Sequence, residues 1–123
     1  MDVNDYQKFT NTTNIYPKEI EKLLSDKNNS LRVIESLILS VGLSGEVGEL
    51  NNKIKKMVRD SSGKIEDKEF LASVSKELGD VHWYWSALVE VLGLDSNTIL
   101  NENVSKLVYR KENNTIHGSG DER

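Results

Sequence analysis

The sequence predicts an all-α fold, a bundle of four helices. Apolar residues recur at three- and four-residue spacing over long segments, which is the period of amphipathic helices. The chain contains one proline, Pro17, so most of it lacks the strongest helix breaker. Strand signals are nearly absent, and 123 residues suit one domain, 1–123.

The first 30 residues are predicted to form two short helical pieces and a loop. Residues 2–14 form a short helix that ends before Tyr16-Pro17, and residues 18–25 form a short helical turn. The polar stretch SDKNNS at 25–30 is predicted as a loop. Ser30 is predicted to cap the next helix, because its hydroxyl can accept from a free amide of the first turn.

Three long helices follow. The first runs from Leu31 to about Arg59 and ends at a DSSG turn, and the next covers residues 66–92 and ends at Gly93. Asp95 or Ser96 caps a last helix that reaches about Lys111. The residues predicted to face inward are Leu31, Ile34, Leu37, Ile38 and Val41, then Phe70, Leu71, Val74, Leu78, Val81, Trp85, Leu88 and Leu92, then Ile99, Leu100, Val104, Leu107 and Val108. The polar segment 116–123 is predicted to be a flexible tail or a lid.

Composition excludes several classes of function. The net charge of −4 argues against a stable nucleic-acid binder, because phosphate backbones favour basic surfaces. There is no cysteine, which removes disulfides, thiolate nucleophiles and cysteine-based zinc sites. No apolar run approaches a membrane span, and the N-terminus lacks a signal pattern. We therefore expect a cytoplasmic protein without membrane association.

Two acidic motifs on the two longest helices carry the chemistry. One is Glu46-Val-Gly-Glu49 and the other is Glu77-Leu-Gly-Asp80. Carboxylates three residues apart project from one helix face, and the glycine inside each motif would allow helices to approach closely. Four carboxylates beside a core repel one another unless a cation neutralises them, and hard oxygen ligands suit Mg²⁺, with Mn²⁺ as an alternative. The competing interpretation is a set of solvated helix acids.

A di-iron centre is a further alternative for an acidic helical bundle. Such sites take Glu-x-x-His motifs, and neither His82 nor His117 lies three residues after a glutamate. The di-iron interpretation is therefore disfavoured.

Basic and aromatic residues accompany the acids. Lys53 and Lys56 continue the Glu46–Glu49 face, where they form either helix salt bridges or phosphate contacts. Asn103, Lys106 and Arg110 share one face of the last helix, and Arg123 adds a guanidinium in the tail. Tyr84 lies on the acidic face, four residues after Asp80, where it would meet a ligand. Each of these patterns is also typical of ordinary packing or a solvated surface.

These residues resemble the MazG-like, all-α nucleotide pyrophosphohydrolases. The resemblance covers nearly the whole chain: Tyr6-Gln7, Tyr16-Pro17, GLSGEVGELNNKIKK at 42–56, KELGDVHWYW at 76–85, then Asn103, Lys106, Leu107, Arg110 and the closing GSGDER. The family pattern is Glu-x-x-Glu, a variable gap and then Glu-x-x-Asp, and this sequence satisfies it with 27 residues, 50–76, between the two motifs.

The resemblance implies hydrolysis of (deoxy)nucleoside triphosphates to the monophosphate and pyrophosphate by metal-activated water. It makes Glu46, Glu49, Glu77 and Asp80 the Mg²⁺ ligands and catalytic carboxylates. The chemistry also calls for a general base toward the attacking water, and among the four carboxylates Glu49 is our candidate. The resemblance assigns substrate contacts to Lys106 and Arg110, with Asn103 beside them. Lys53, Lys56 and Tyr84 are further candidates, and a glycine-rich ending near the substrate adds Arg123.

The resemblance also leaves alternatives open. A narrower dUTP or dCTP diphosphatase shares the acidic site, whereas a non-catalytic helical dimerisation or regulatory protein would be expected to lack some of the acids. Members of the family commonly form dimers or tetramers. Four amphipathic helices in a chain this small leave apolar surface to cover, so we expect a MazG-like four-helix bundle completed by homodimerisation, or a homotetramer.

Overall fold

The computed structural model describes residues 2–121, which contain helices and no strand. The five helices are α1 (Val3–Thr13), α2 (Tyr16–Leu24), α3 (Lys27–Asp60), α4 (Lys68–Leu92) and α5 (Ser96–Glu112). The all-α prediction is confirmed. No helix in the described part of the chain is long and apolar enough to cross a membrane.

The two N-terminal helices follow local signals in the sequence. Asp2 caps α1, since its Oδ1 accepts a hydrogen bond of 2.8 Å from the amide of Asp5. Pro17 lies in the first turn of α2, where a proline lacks no hydrogen bond that the helix needs. The segment predicted as a short helical turn at 18–25 is therefore a full helix that begins two residues earlier.

The start of α3 differs from the prediction. Asp26, not Ser30, is the N-cap, and its Oδ1 accepts from the amides of Asn28 and Asn29, both at 3.1 Å. Ser30 lies inside the helix, where it is buried and donates its hydroxyl to the Lys27 carbonyl at 3.0 Å. The predicted SDKNNS loop is thus the cap and first turn of the helix, because an aspartate can cap as well as a serine.

The other long helices begin and end at strong local signals. Asp67 caps α4 with a 2.8 Å hydrogen bond from the Phe70 amide. Gly93 ends α4 in the left-handed region with φ 71°, as predicted. Asp95 then caps α5, and hydrogen bonds from the Thr98 amide and hydroxyl hold the pKa of Asp95 below its usual value.

Helices α3 and α4 form an antiparallel pair that contains most of the packing within the chain. The connection at 61–67 turns the chain back through Ser62 and Gly63, both at positive φ. At the opposite end, the Arg32 guanidinium donates to the Val91 carbonyl, with Nη2 at 3.1 Å and Nε at 3.3 Å. The Val91 carbonyl lies in the last turn of α4, where carbonyls have no amide partner within the helix, and Arg32 supplies that partner.

The contact between α3 and α4 has the spacing of a coiled coil. On each helix, one set of the residues that lose exposure recurs at alternating steps of three and four, which keeps one seam facing the partner helix. On α3 they are Ser36, Leu39, Leu43, Glu46, Leu50, Lys53 and Met57, and on α4 they are Phe70, Val74, Glu77, Val81, Tyr84, Leu88 and Val91. Two of the predicted metal ligands therefore lie inside a helix–helix seam.

Much of the predicted core is exposed in the single chain. On α3 the predicted inward-facing residues Leu31, Leu37, Ile38 and Val41 are more than half exposed, because the α4-facing seam lies elsewhere on the helix. On α5, Leu100, Val104 and Leu107 are also exposed, because this helix packs along no other helix of the described chain. Only Leu39 and Val89 are buried apolar residues among residues 2–121. A four-helix bundle is not closed within one chain.

Candidate metal centre

Three of the four predicted metal ligands converge between α3 and α4. Oxygen atoms of Glu46, Glu77 and Asp80 all lie within 4.8 Å of one another. Glu46 projects from the α3 seam and Glu77 from the facing α4 seam, and Asp80 lies one turn along α4 from Glu77. Glu77 is buried at 8% exposure, Glu46 is half-buried and Asp80 is exposed. The group is therefore anchored in the helix interface and open to solvent on one side.

Electrostatics within this three-acid cluster are unfavourable without a cation. Partial burial raises the pKa of Glu46, and the charges of Asp80, Glu49 and Glu77 raise it further, as does a hydrogen bond to Glu77. The Lys53 ammonium offsets part of this repulsion through an ion pair of 2.8 Å with Glu77 Oε1. Burial and the neighbouring carboxylates together therefore disfavour the charged form of Glu46, and a cation bound at the cluster would oppose both effects.

The donor set fits Mg²⁺ or Mn²⁺. All three side chains offer carboxylate oxygens, which hard divalent cations prefer, and the exposed side leaves space for water or phosphate oxygens. His82 is not part of the cluster; its ring stacks on Trp85 with centroids 5.7 Å apart. In the described chain the oxygen-only donor set therefore disfavours the di-iron alternative.

Glu49 lies beside the cluster and is not a member of it. Its side chain is exposed, and it lines a shallow groove on α3 together with Gly45, Gly48, Asn51, Asn52 and Lys55. Its charge still reaches Glu46, since it contributes to the raised pKa of that carboxyl. Glu49 thus differs from the other three acids in position: it lies one turn after Glu46 on α3, and its side chain faces solvent.

A cavity of about 570 Å³ opens next to the cluster, at the connection between α3 and α4. Lys53 and Lys56 line it, and Lys64 from the connection adds a third ammonium. The remaining wall is formed by Met57, Asp60, Ser61, Ser62, Asp67, Phe70 and Ser73. Lys53 therefore joins the acids on one side to a lysine-lined cavity on the other.

The predicted residues of α5 form a separate group. Asn103 and Lys106 line a groove of about 380 Å³ together with Ile99, Glu102 and Asp121. Arg110 is buried, and its Nη2 donates to the carbonyls of Gly120 and Asp121 at 3.3 and 2.9 Å. No ion pair or hydrogen bond between residues 2–121 links these α5 residues with the three-acid cluster. The structure thus forms the three-acid cluster and the group of α5 residues separately, and the two groups do not meet within one chain.

The sequence of residues 35–115 matches the MazG nucleotide pyrophosphohydrolase domain, which accounts for most of the chain. The chain belongs to the MazG family. Over its full length it is also similar to the Gene 37 protein of Mycobacterium phage L5, with 38% identity and complete coverage of both chains. No solved structure matches the chain.

The MazG match includes every candidate site residue except one. The four acids, both α3 lysines, Tyr84 and the α5 residues all lie within 35–115. The tail lies beyond the matched region, and Arg123 lies outside the described residues. The lid role predicted for residues 116–123 stays a prediction; in the structure Gly120 and Asp121 contact α5.

The MazG domain contains one important position that the sequence did not reveal. Gly42 lies under the ring of Tyr84, and a Cβ at this position would approach three ring atoms closer than 3.0 Å. The glycines inside the two acidic motifs, Gly48 and Gly79, were expected to allow close helix approach, yet a Cβ there would meet no atom within 4 Å. The close approach thus occurs one turn before Glu46 and fixes Tyr84 next to the cluster.

Proposed function

We propose that this MazG domain hydrolyses nucleoside triphosphates to the monophosphate and pyrophosphate with the help of Mg²⁺. The observation that carries the proposal is the convergence of Glu46, Glu77 and Asp80 within 4.8 Å in a chain of this family. Family membership supports nucleotide pyrophosphohydrolysis in general. The choice of metal and the reaction on triphosphates are our proposal.

Each group of side chains has a chemical task in this proposal. Glu46, Glu77 and Asp80 would hold the divalent cation, which when bound supplies Lewis-acid chemistry and a more acidic water. Glu49, next to the cluster and exposed, would accept the proton of the attacking water. Lys53 and Lys56 face the adjacent cavity, where their charge would stabilise the negative charge that develops on the leaving pyrophosphate.

Tyr84 would contact the nucleoside part of the substrate. Its half-buried ring rests on Gly42, one turn before Glu46 on α3. The lysine-lined cavity lies on the opposite side of the three-acid cluster, beyond Lys53. An aromatic face next to one side of the metal centre and ammonium groups next to the other suit a substrate with a base at one end and phosphates at the other.

We further propose that the functional unit is a homodimer or homotetramer. The α5 residues Asn103, Lys106 and Arg110 do not meet the acids in one chain, and the predicted apolar faces of α3 and α5 are uncovered. Packing a second copy on these faces would bury the exposed leucines and complete a four-helix bundle. The same arrangement would bring α5 of one copy toward the acids of another.

Light scattering at micromolar protein concentration tests the assembly. We expect a mass of at least twice the 13.9 kDa of one chain, because the uncovered apolar surface is too large for a stable monomer. Replacing exposed Leu37 and Ile38 by glutamate should shift the mass toward the monomer. A wild-type chain that elutes at 13.9 kDa would contradict the proposal.

A panel of ribo- and deoxyribonucleoside triphosphates tests the reaction. Each is incubated with the chain and Mg²⁺ or Mn²⁺, and the products are separated by chromatography so that monophosphate plus pyrophosphate is distinguished from diphosphate plus phosphate. We expect the first pair of products. Turnover confined to dUTP or dCTP would favour a narrow diphosphatase, and no turnover of any triphosphate would leave the non-catalytic alternative.

A further inference from the structure

The C-terminal tail folds back onto α5 and places one carboxylate among the basic residues of that helix. Asp121 Oδ1 lies 3.5 Å from Lys106 Nζ and 3.6 Å from Arg110 Nη2. The carboxylate also lies in the groove that Asn103 and Lys106 line. An anionic side chain of the chain itself therefore lies next to two cations, Lys106 and Arg110, to which the family resemblance assigns substrate contacts.

Arg110 anchors this arrangement and retains an unused donor. Its side chain is only 8% exposed, and Nη2 is already bonded to the carbonyls of Gly120 and Asp121. Its Nε is buried and has no hydrogen-bond partner among residues 2–121. A buried donor on a permanently charged group is costly when it is unpaired, and a guanidinium edge suits two oxygens of one anion. The Asp121 carboxylate, with Oδ1 at 3.6 Å from Arg110 Nη2, does not supply an oxygen to Nε as well.

The ion pairs of Asp121 are weak enough to be exchanged. The carboxylate is 85% exposed and Lys106 is 40% exposed, so water and salt screen their attraction. A phosphate group carries more charge and more acceptor oxygens than a carboxylate, and it would offer Arg110 Nε the partner that Asp121 does not give. Phosphate would therefore outcompete the Asp121 carboxylate, provided that its oxygens also replace the carbonyls of Gly120 and Asp121 on Arg110 Nη2.

We propose that Asp121 is a built-in competitor of phosphate: its carboxylate holds Lys106 and Arg110 until a phosphate group displaces it, and the tail then leaves α5. The proposal rests on the proposed function, with the substrate contacts that the family resemblance assigns to Lys106 and Arg110. It makes tail release a consequence of substrate binding, and it makes Asp121 a residue that weakens phosphate affinity.

The test measures binding of inorganic pyrophosphate to the full chain by calorimetry, in buffer without divalent cations, so that only the cations of the chain contribute. Asp121→Asn should lower the Kd by about two- to fivefold, the range expected when an exposed ion pair no longer competes. Glu112→Gln is the matched control, because it removes one negative charge from the end of α5, and Glu112 forms no ion pair among residues 2–121. Its Kd should equal that of the wild type.

A second comparison tests whether the effect of Asp121→Asn arises from its contact with Lys106 in the α5 groove. In a Lys106→Gln background the gain from Asp121→Asn should shrink, since the two residues interact directly. In ¹⁵N spectra of the wild type, pyrophosphate should shift the Gly120 amide toward the position that it has in the Asp121→Asn variant. Equal gains from Asp121→Asn and Glu112→Gln, or an unchanged or weaker affinity in Asp121→Asn, would overturn the proposal.

These outcomes are separate from those of the proposed function. Pyrophosphate binding does not require turnover, so the competitor role is measured even if no triphosphate is hydrolysed. If triphosphates are hydrolysed but neither the wild type nor Asp121→Asn binds pyrophosphate, the competitor proposal fails and the proposed function stands.

Discussion

Asp80→Asn is expected to reduce kcat/KM for triphosphate hydrolysis by at least about 100-fold. Loss of groups that merely support metal ligands typically costs 10- to 100-fold, and a direct ligand should cost no less. Asp80 is exposed, so the change leaves no cavity in the helix interface. It also removes one of the charges that raise the pKa of Glu46. The fold should therefore be retained, with a melting temperature in EDTA equal to or above that of the wild type.

The control for this variant is Glu90→Gln, on the same helix and also exposed. It should keep wild-type kinetics. Mg²⁺ should raise the melting temperature of the wild type and of Glu90→Gln but not that of Asp80→Asn, because only a chain with an intact cluster binds the ion more tightly when folded. Wild-type turnover in Asp80→Asn would exclude this carboxylate from the metal centre.

Gly42→Ala is expected to lower the free energy of unfolding by about 1–3 kcal/mol, the usual cost of overpacking. The new methyl group would overlap the Tyr84 ring, so the ring must leave its position on α3. Since Tyr84 adjoins the proposed metal centre, KM for the nucleotide should rise more than kcat falls. Thermal or urea unfolding gives the stability change, and steady-state kinetics give the split between KM and kcat.

Gly45→Ala is the matched control, one turn away on the same helix. A Cβ there meets no atom within 4 Å, and alanine is favoured over glycine in a helix by up to about 1 kcal/mol. This variant should be neutral or stabilising. If both substitutions destabilise the chain equally, contact with Tyr84 is not the reason.

Local signals explain which parts of the fold the sequence predicted. Gly93 ends α4 and Asp95 begins α5 because left-handed glycines and side-chain caps act within a few residues. The start of α3 was misplaced because Asp26 and Ser30 are both good caps four residues apart. Which of them caps the helix depends on whether residues 27–30 are helical, and neither residue determines this alone.

Tertiary packing explains the rest. The apolar stripe through Leu37 and Val41 shows that α3 is amphipathic, but it does not show whether a face meets α4 or lies outside the pair. The acids were predictable because three-residue spacing places two carboxylates on one face. The Lys53–Glu77 ion pair, the contact of Gly42 with Tyr84 and the return of Asp121 to Arg110 join distant segments, so no local spacing indicates them.

The sparse core of the single chain has a consequence for how the protein behaves on dilution. Only Leu39 and Val89 are buried apolar residues in the described part of the chain, so in the proposed oligomer most hydrophobic stabilisation would come from contacts between copies. Mass action would then govern the folded population of that oligomer, and the unfolding midpoint would rise with total protein concentration. Activity per molecule would likewise decline in very dilute assays, as subunits separate and α3 and α4 lose the partner that covers them.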